Sequence, residues 1–323
     1  MSHRSALVGL LFIAAACAGT PAPDTAPDAP LYEAQAVEAA PPDDPPPVCA
    51  APGGLLSAGP DRDAGYAALS TEARTALLLS LPDCLEHPDP ALRDGYAYEM
   101  ISMILRGGAQ TGETLRALKA DLSGRLATPG KDPDGFRGPF AALALAEVAR
   151  TDRIAPWMSE DERSDLIASA HAYLETLSDY RGFTDGEGWR HGVAHTADIL
   201  LQMSLNPELT RAQADALLAA IAVKAGPSDH AYVFGESERL AAPAIYLARK
   251  EVLSAEDWSA WFAGLWPADD PLRGAAYSSE AALAKLHNLR AFAEAIYVSS
   301  VASDDARLKP LAGAALQFLI GLP

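Results

Sequence analysis

The feature that most limits the fold is a spacing. Long apolar helical segments start near His87, Gly135, Gly186, Phe234 and Ser279, in steps of 48, 51, 48 and 45 residues. A more amphipathic segment follows each one, near Thr111, Ser159, Thr210, Ser254 and Asp304. Apolar residues recur at three- and four-residue intervals, and Gly, Pro, Asp and Ser punctuate the breaks. A hydroxyl ahead of acidic or amide residues marks helix starts in SEDER from Ser159, TRAQ from Thr210, SAED from Ser254 and SSEA from Ser278. Period-two alternation with β-branched residues is almost absent. The spacing therefore predicts an all-α chain of stacked antiparallel helix pairs.

Steps of this size are close to those of HEAT-like arrays, in which each pair buries its apolar face only by stacking on its neighbours. The expected architecture is a HEAT-like α/α superhelix or an irregular α/α array. No linker interrupts residues 49–323, so one helical-repeat domain is expected there. The inner helices are mostly Ala, Leu, Ile and aromatic, yet they carry polar residues near their starts. These include Arg93 and Asp94, Arg137, His191, His195 and Asp198, then Glu236, Glu238 and Arg239, then His287, Asn288 and Arg290. Stacked in register, such ends line one edge or groove. Buried charge is costly without a partner, so these groups are expected to pair or to face water.

The N-terminus carries a different message. Residues 1–16 read as an export signal: a short start with Arg4, then an apolar run from Ala6 to Ala16 that is too short to span a bilayer. Cys17 follows Ala14-Ala15-Ala16 and resembles the lipobox of bacterial lipoproteins, with alanine in place of the usual leucine three residues upstream. Lipidation at Cys17 would anchor the exported chain to a membrane, facing the periplasm or the cell exterior. Ordinary cleavage that leaves Cys17 unmodified is the alternative. From Cys17 to Val48 the chain is Pro/Ala/Asp-rich, as in GTPAPDTAPDAP, and reads as a disordered tether. An oxidising location permits a disulfide between Cys49 and Cys84. Forty-three acidic against 25 basic residues give a net charge of −18, which argues against a nucleic-acid partner.

Three segments, LRDGYAYEM, DYRGFTDGEGWRHGVAHTADILLQM and GESERLAAPAIYL, resemble those of the bacterial DUF2785 family. The Gly-Trp-x-His-x-x-x-His-x-x-Asp run is the most specific part, and the resemblance covers about residues 80–300. It implies a helical fold and a shared site. By its name the family is a domain of unknown function, so no reaction comes with it.

A helix over residues 189–203 would put His191 and His195 one turn apart on a single face, a spacing that converges on one divalent metal ion in zinc enzymes. Asp198 is seven residues from His191, about 10 Å along the axis, too far to ligate the same ion. Its expected role is to accept from the distal nitrogen of His195. Further ligands would come from Asp94, Asp179, Glu236, Glu238 or His287. A second reading is acid–base chemistry by the His195–Asp198 pair, a hydrolase in which Arg137, Arg181 and Arg239 hold an anion. A third is an internal hydrogen-bond network tying neighbouring units. Metal-free binding of a peptide, protein or small polar ligand fits the same edge, with Asp94, Arg137, Arg181, Trp189, Glu236, Glu238, Arg239 and His287 as candidate contacts. No cofactor is firmly implied. No nucleophile motif, HExxH pattern or phosphate loop is present.

Overall fold

The structure is a computed structural model that describes residues 49, 60–128 and 132–323. The signal segment, Cys17 and the whole Pro/Ala-rich stretch to Val48 lie outside the described residues. Helices α1 (Pro60–Ala67) and α2 (Thr71–Ser80) lead into α3 (Pro90–Leu92), which continues through a π-helical stretch, Arg93–Tyr98, into α4 (Glu99–Arg106). Then follow α5 (Gly112–Leu126), α6 (Arg137–Ile154) and α7 (Glu160–Thr176). A two-residue hairpin, β1 (Phe183–Thr184) and β2 (Gly188–Trp189), precedes α8 (Gly192–Leu205). The chain continues with α9 (Arg211–Ala225), α10 (Glu236–Ala248), α11 (Ala255–Leu265), the short α12 (Pro271–Gly274), α13 (Glu280–Val301) and α14 (Lys309–Gly321).

Two layers result. Helices α4, α6, α8, α10 and α13 pack one on the next, and α5, α7, α9, α11 and α14 follow in the same order beside them. The inner layer is covered on several sides. Along α6 almost every residue from Gly138 to Ala149 is buried, and α8 and α10 are similar. A helix apolar around most of its circumference has to sit inside an array in this way. The predicted all-α class of stacked helix pairs is what the structure shows.

Helix starts follow the capping chemistry. Ser159, Thr210 and Ser254 each accept from the N3 backbone, and Glu162, Gln213 and Asp257 reach back to complete capping boxes. The cap of α13 is Ser279, one residue beyond the start of the SSEA signal.

Buried polar side chains fasten the loops at both ends of the stack. Asp152, fully buried, accepts from the backbone of Trp157 and Met158 at 2.8 and 2.6 Å and from Asn206 Nδ2 at 2.8 Å. Asn288, also fully buried, accepts from Tyr232 N at 2.9 Å and donates to the carbonyls of Pro227 and His230 at 3.0 and 2.7 Å. Near the start of the described chain, Cys49 and Cys84 are joined as a disulfide, with their Cα atoms 5.5 Å apart.

Candidate functional site

The helix of the HGVAHTAD run starts later than its spacing predicts. The hairpin registers Phe183 with Trp189 and Thr184 with Gly188, and backbone bonds from Arg190 N to Gly182 O and His191 N to Arg181 O extend that pairing. Residues 189–191 are thus held by an antiparallel partner, and α8 begins at Gly192. His191 stands at the cap in a left-handed conformation (φ 56°), which is unusual for a residue with a side chain. The expectation that both histidines share one helical face is corrected by this turn. Gly188 (φ +82°) makes the hairpin possible, and a Cβ there would press on Arg93 Nη2 at 3.1 Å.

The two imidazoles remain neighbours, with ring centres 5.9 Å apart, but they look at different partners. The His191 ring stacks on Trp189 at 4.8 Å, and its Nε2 is buried without a hydrogen bond, 3.9 Å from Glu236 Oε1. Burial, with the Arg239 charge adding to it, pushes His191 down to about 4. The Nδ1 of His195 lies 3.1 Å from the Pro139 carbonyl. A carbonyl only accepts, so this contact places the proton on Nδ1. Burial, His191 and Arg239 hold His195 well below the ordinary imidazole value. Both rings are therefore neutral near pH 7.

Asp198 does not reach His195. It pairs with Arg239 of the next inner helix through two contacts, the longer one Nε to Oδ1 at 3.3 Å. Burial nevertheless outweighs the guanidinium and raises its carboxyl. The expected His195–Asp198 relay is replaced by a tie between α8 and α10. The reason is direction: Asp198 faces Arg239 on the adjacent helix, and His195 turns its Nδ1 to the Pro139 carbonyl of α6.

The remaining predicted residues scatter. Asp94 sits 2.7 Å from Arg93 Nη2, and burial raises its carboxyl. Arg137 turns to Glu86 at 2.8 and 2.9 Å, and Arg181 clasps Asp179 two residues away. Glu236 is buried and accepts from Phe234 N at 2.9 Å, whereas Glu238 is exposed. His287 is exposed and contacts the Tyr232 carbonyl at 3.2 Å. Of the candidates, His191, Trp189 and Glu236 come together, with His195 beside them and the Asp198–Arg239 pair close to both rings. Arg137 and His287 do not join them.

Among the described residues no three His, Cys, Asp or Glu side chains are grouped to hold a metal ion. A cavity of about 100 Å³, lined by Asp132, Gly135, Pro139, Tyr173 and Asp179 among others, lies near this edge, and neither histidine lines it.

The sequence singles out Trp189 but not the aromatic rim that surrounds it. Trp189 meets Phe183 edge-on at 5.2 Å and Phe234 at 5.9 Å, and the Phe234 ring lies so close on Gly182 that a Cβ there would meet it at 2.1 Å. Phe183 and Val233 are 45% and 71% exposed. A second aromatic group adjoins it in the chain: Tyr180 stacks on His230 at 4.8 Å, beside Tyr232. Behind the rim, the Arg93 and Arg190 guanidiniums lie 3.8 and 4.2 Å from the Phe136 ring centre, and Arg93 Nη2 donates to Glu187 O at 2.6 Å, holding the hairpin.

Residues 122–298 match the family model described as "Protein of unknown function (DUF2785)", over half of the chain. The chain belongs to the DUF2785 family. The match begins after LRDGYAYEM, so it is narrower than the resemblance in the sequence, and it contains the hairpin, both histidines, the Asp198–Arg239 pair and Phe234. No curated protein matches the chain, and no solved structure does. The aromatic and histidine cluster thus lies wholly within the DUF2785 segment.

Proposed function

We propose that the DUF2785 array binds a peptide or protein segment at the edge formed by the β1–β2 hairpin and the starts of α8 and α10. The supporting observation is the open aromatic rim. Phe183 and Phe234 stand exposed against Trp189, which stacks on His191, while the nearby charges Asp94, Asp179, Arg181, Asp198, Arg190 and Arg239 are held by partners within the chain. Rigid aromatics in a frame of paired charges are what a recognition surface needs, because little entropy is lost when a partner covers them. Side chains locked on a hairpin and two helix starts supply that rigidity.

The hydrolase alternative has less support. Its oriented pair is absent, since Asp198 serves Arg239 and His195 Nδ1 serves Pro139. A small polar ligand would favour an enclosed pocket, and neither histidine lines the cavity nearby.

We further propose, from the sequence, that Cys17 carries the lipid that anchors the chain to a bacterial membrane and that the Pro/Ala-rich stretch holds the array away from it. Two experiments address these readings. Peptides selected by display on the parent protein should lose roughly tenfold or more in affinity for Phe183→Ala/Phe234→Ala; equal binding to both would remove the rim from the account. Cys17→Ala should release the protein from membranes, and retention would contradict the anchor.

A further inference from the structure

Helix α13 presents an outer strip unlike that of the inner helices before it. At 100° per residue, Leu283, Arg290, Glu294 and Val301 fall within about 20° of one line along the helix. All four are exposed, and Val298 flanks them. Leu283, Val298 and Val301 leave 45%, 59% and 56% of their surface to solvent, so one helix face shows three aliphatic side chains. The other faces of α13 are taken by α10 and α14. Among the described residues Arg290 and Glu294 have no hydrogen bond or ion pair with each other or with a neighbour, unlike most of the basic side chains nearby.

The order along the strip matters. Leu283 and Val301 are each nine residues from Phe292, and Arg290 and Glu294 are each two residues from it. Read from one end the strip is apolar, basic, acidic, apolar; read from the other it is apolar, acidic, basic, apolar. A copy laid antiparallel therefore sets Leu283 against Val301 and Arg290 against Glu294, and the two-fold axis repeats both contacts. A parallel copy would set Arg on Arg and Glu on Glu. Self-complementarity of this kind is the mark of an isologous, closed interface. The strip from Leu283 to Val301 runs about 27 Å at 1.5 Å per residue, long enough for a full helix–helix seam.

We propose that the α13 strip is a homodimer seam, occupied by α13 of a second copy of this chain, with its two-fold axis opposite Phe292. The inference goes beyond the peptide-binding reading and does not depend on it. Stacking then continues past α13 into the partner's array, and the exposed aliphatics are covered in the same way as those of the inner layer.

The test is a charge swap read by sedimentation velocity, on the full chain carrying Cys17→Ala so that no acyl chain contributes to association. The parent should show a concentration-dependent monomer–dimer equilibrium. Arg290→Glu alone and Glu294→Arg alone each create two like-charge contacts across the axis and should weaken dimerisation by about tenfold or more. The double variant Arg290→Glu/Glu294→Arg restores opposite charges and should return the dimer to near parental strength, with circular dichroism showing all forms folded. Three results would overturn the proposal: a parent that stays monomeric up to its solubility limit, a single reversal that leaves association unchanged, or a folded double variant as weak as the single ones.

Discussion

Asp198 on α8 is bound to Arg239 on α10, and the His195 ring one turn back on α8 is bound instead to the Pro139 carbonyl of α6. The most polar inner helix is thereby tied to both its neighbours in the stack, once by a charge pair and once by a ring nitrogen. The pair retains some solvent contact, which moderates its cost. Arg239→Ala should still destabilise the fold by about 2 kcal/mol, because it strands a carboxylate that burial already disfavours. Urea denaturation would read this loss. In a double-mutant cycle, Asp198 should couple to Arg239 and not to His195.

Stability should climb with pH across the imidazole range. His191 is held down at about 4 against an ordinary 6.5, so between these values the unfolded chain binds the extra proton. The contribution is complete above 6.5, is lost as pH falls towards 4, and amounts to at most about 3 kcal/mol. His195, also depressed, adds to the same slope. Asp198 opposes it: its raised carboxyl favours the folded state at low pH, and that contribution is lost as pH rises through the raised value. Asn tolerates the left-handed backbone at position 191. His191→Asn should therefore flatten the stability profile between pH 4 and 6.5 relative to the parent; an unchanged slope would show that His191 titrates normally.

Asn288 governs the segment that carries Phe234. With its three bonds to Tyr232, Pro227 and His230, it pins residues 227–232 against α13. Asn288→Asp keeps the acceptor and loses both donors, leaving two carbonyls unpaired beside a buried charge. Hydrogen exchange should show loss of protection at the Tyr232 amide and its neighbours, with protection in α6 and α8 retained. Unchanged exchange there would mean that the loop is held by its own packing.

The layers were legible because helix pairs of similar length advertise themselves through apolar periodicity and capping hydroxyls. Ser159, Thr210 and Ser254 cap where SEDER, TRAQ and SAED predict. The site was less legible. A hairpin of two-residue strands leaves no periodic trace, so the spacing of HGVAHTAD predicts a helix that starts three residues too early, with both histidines on one face. Arg239, Pro139 and Asn288 act over more than 40 residues of chain, and their partners depend on how one helix docks on the next. Gly186 and Gly188 stand in the sequence only as glycines, and their positive φ in the hairpin turn, like the rim made by Phe183 and Phe234, shows only once the hairpin meets the loop before α10.

The most direct test of the recognition edge is site-specific photo-crosslinking in intact cells. A photoreactive amino acid is placed at Phe183, at Phe234 or, as a control, at Ile154, which is exposed at 62% on another part of the array. The account predicts one recurrent polypeptide adduct from positions 183 and 234, absent from position 154 and lost when Trp189→Ala is added. No adduct at either rim position, or the same adducts from position 154, would contradict it.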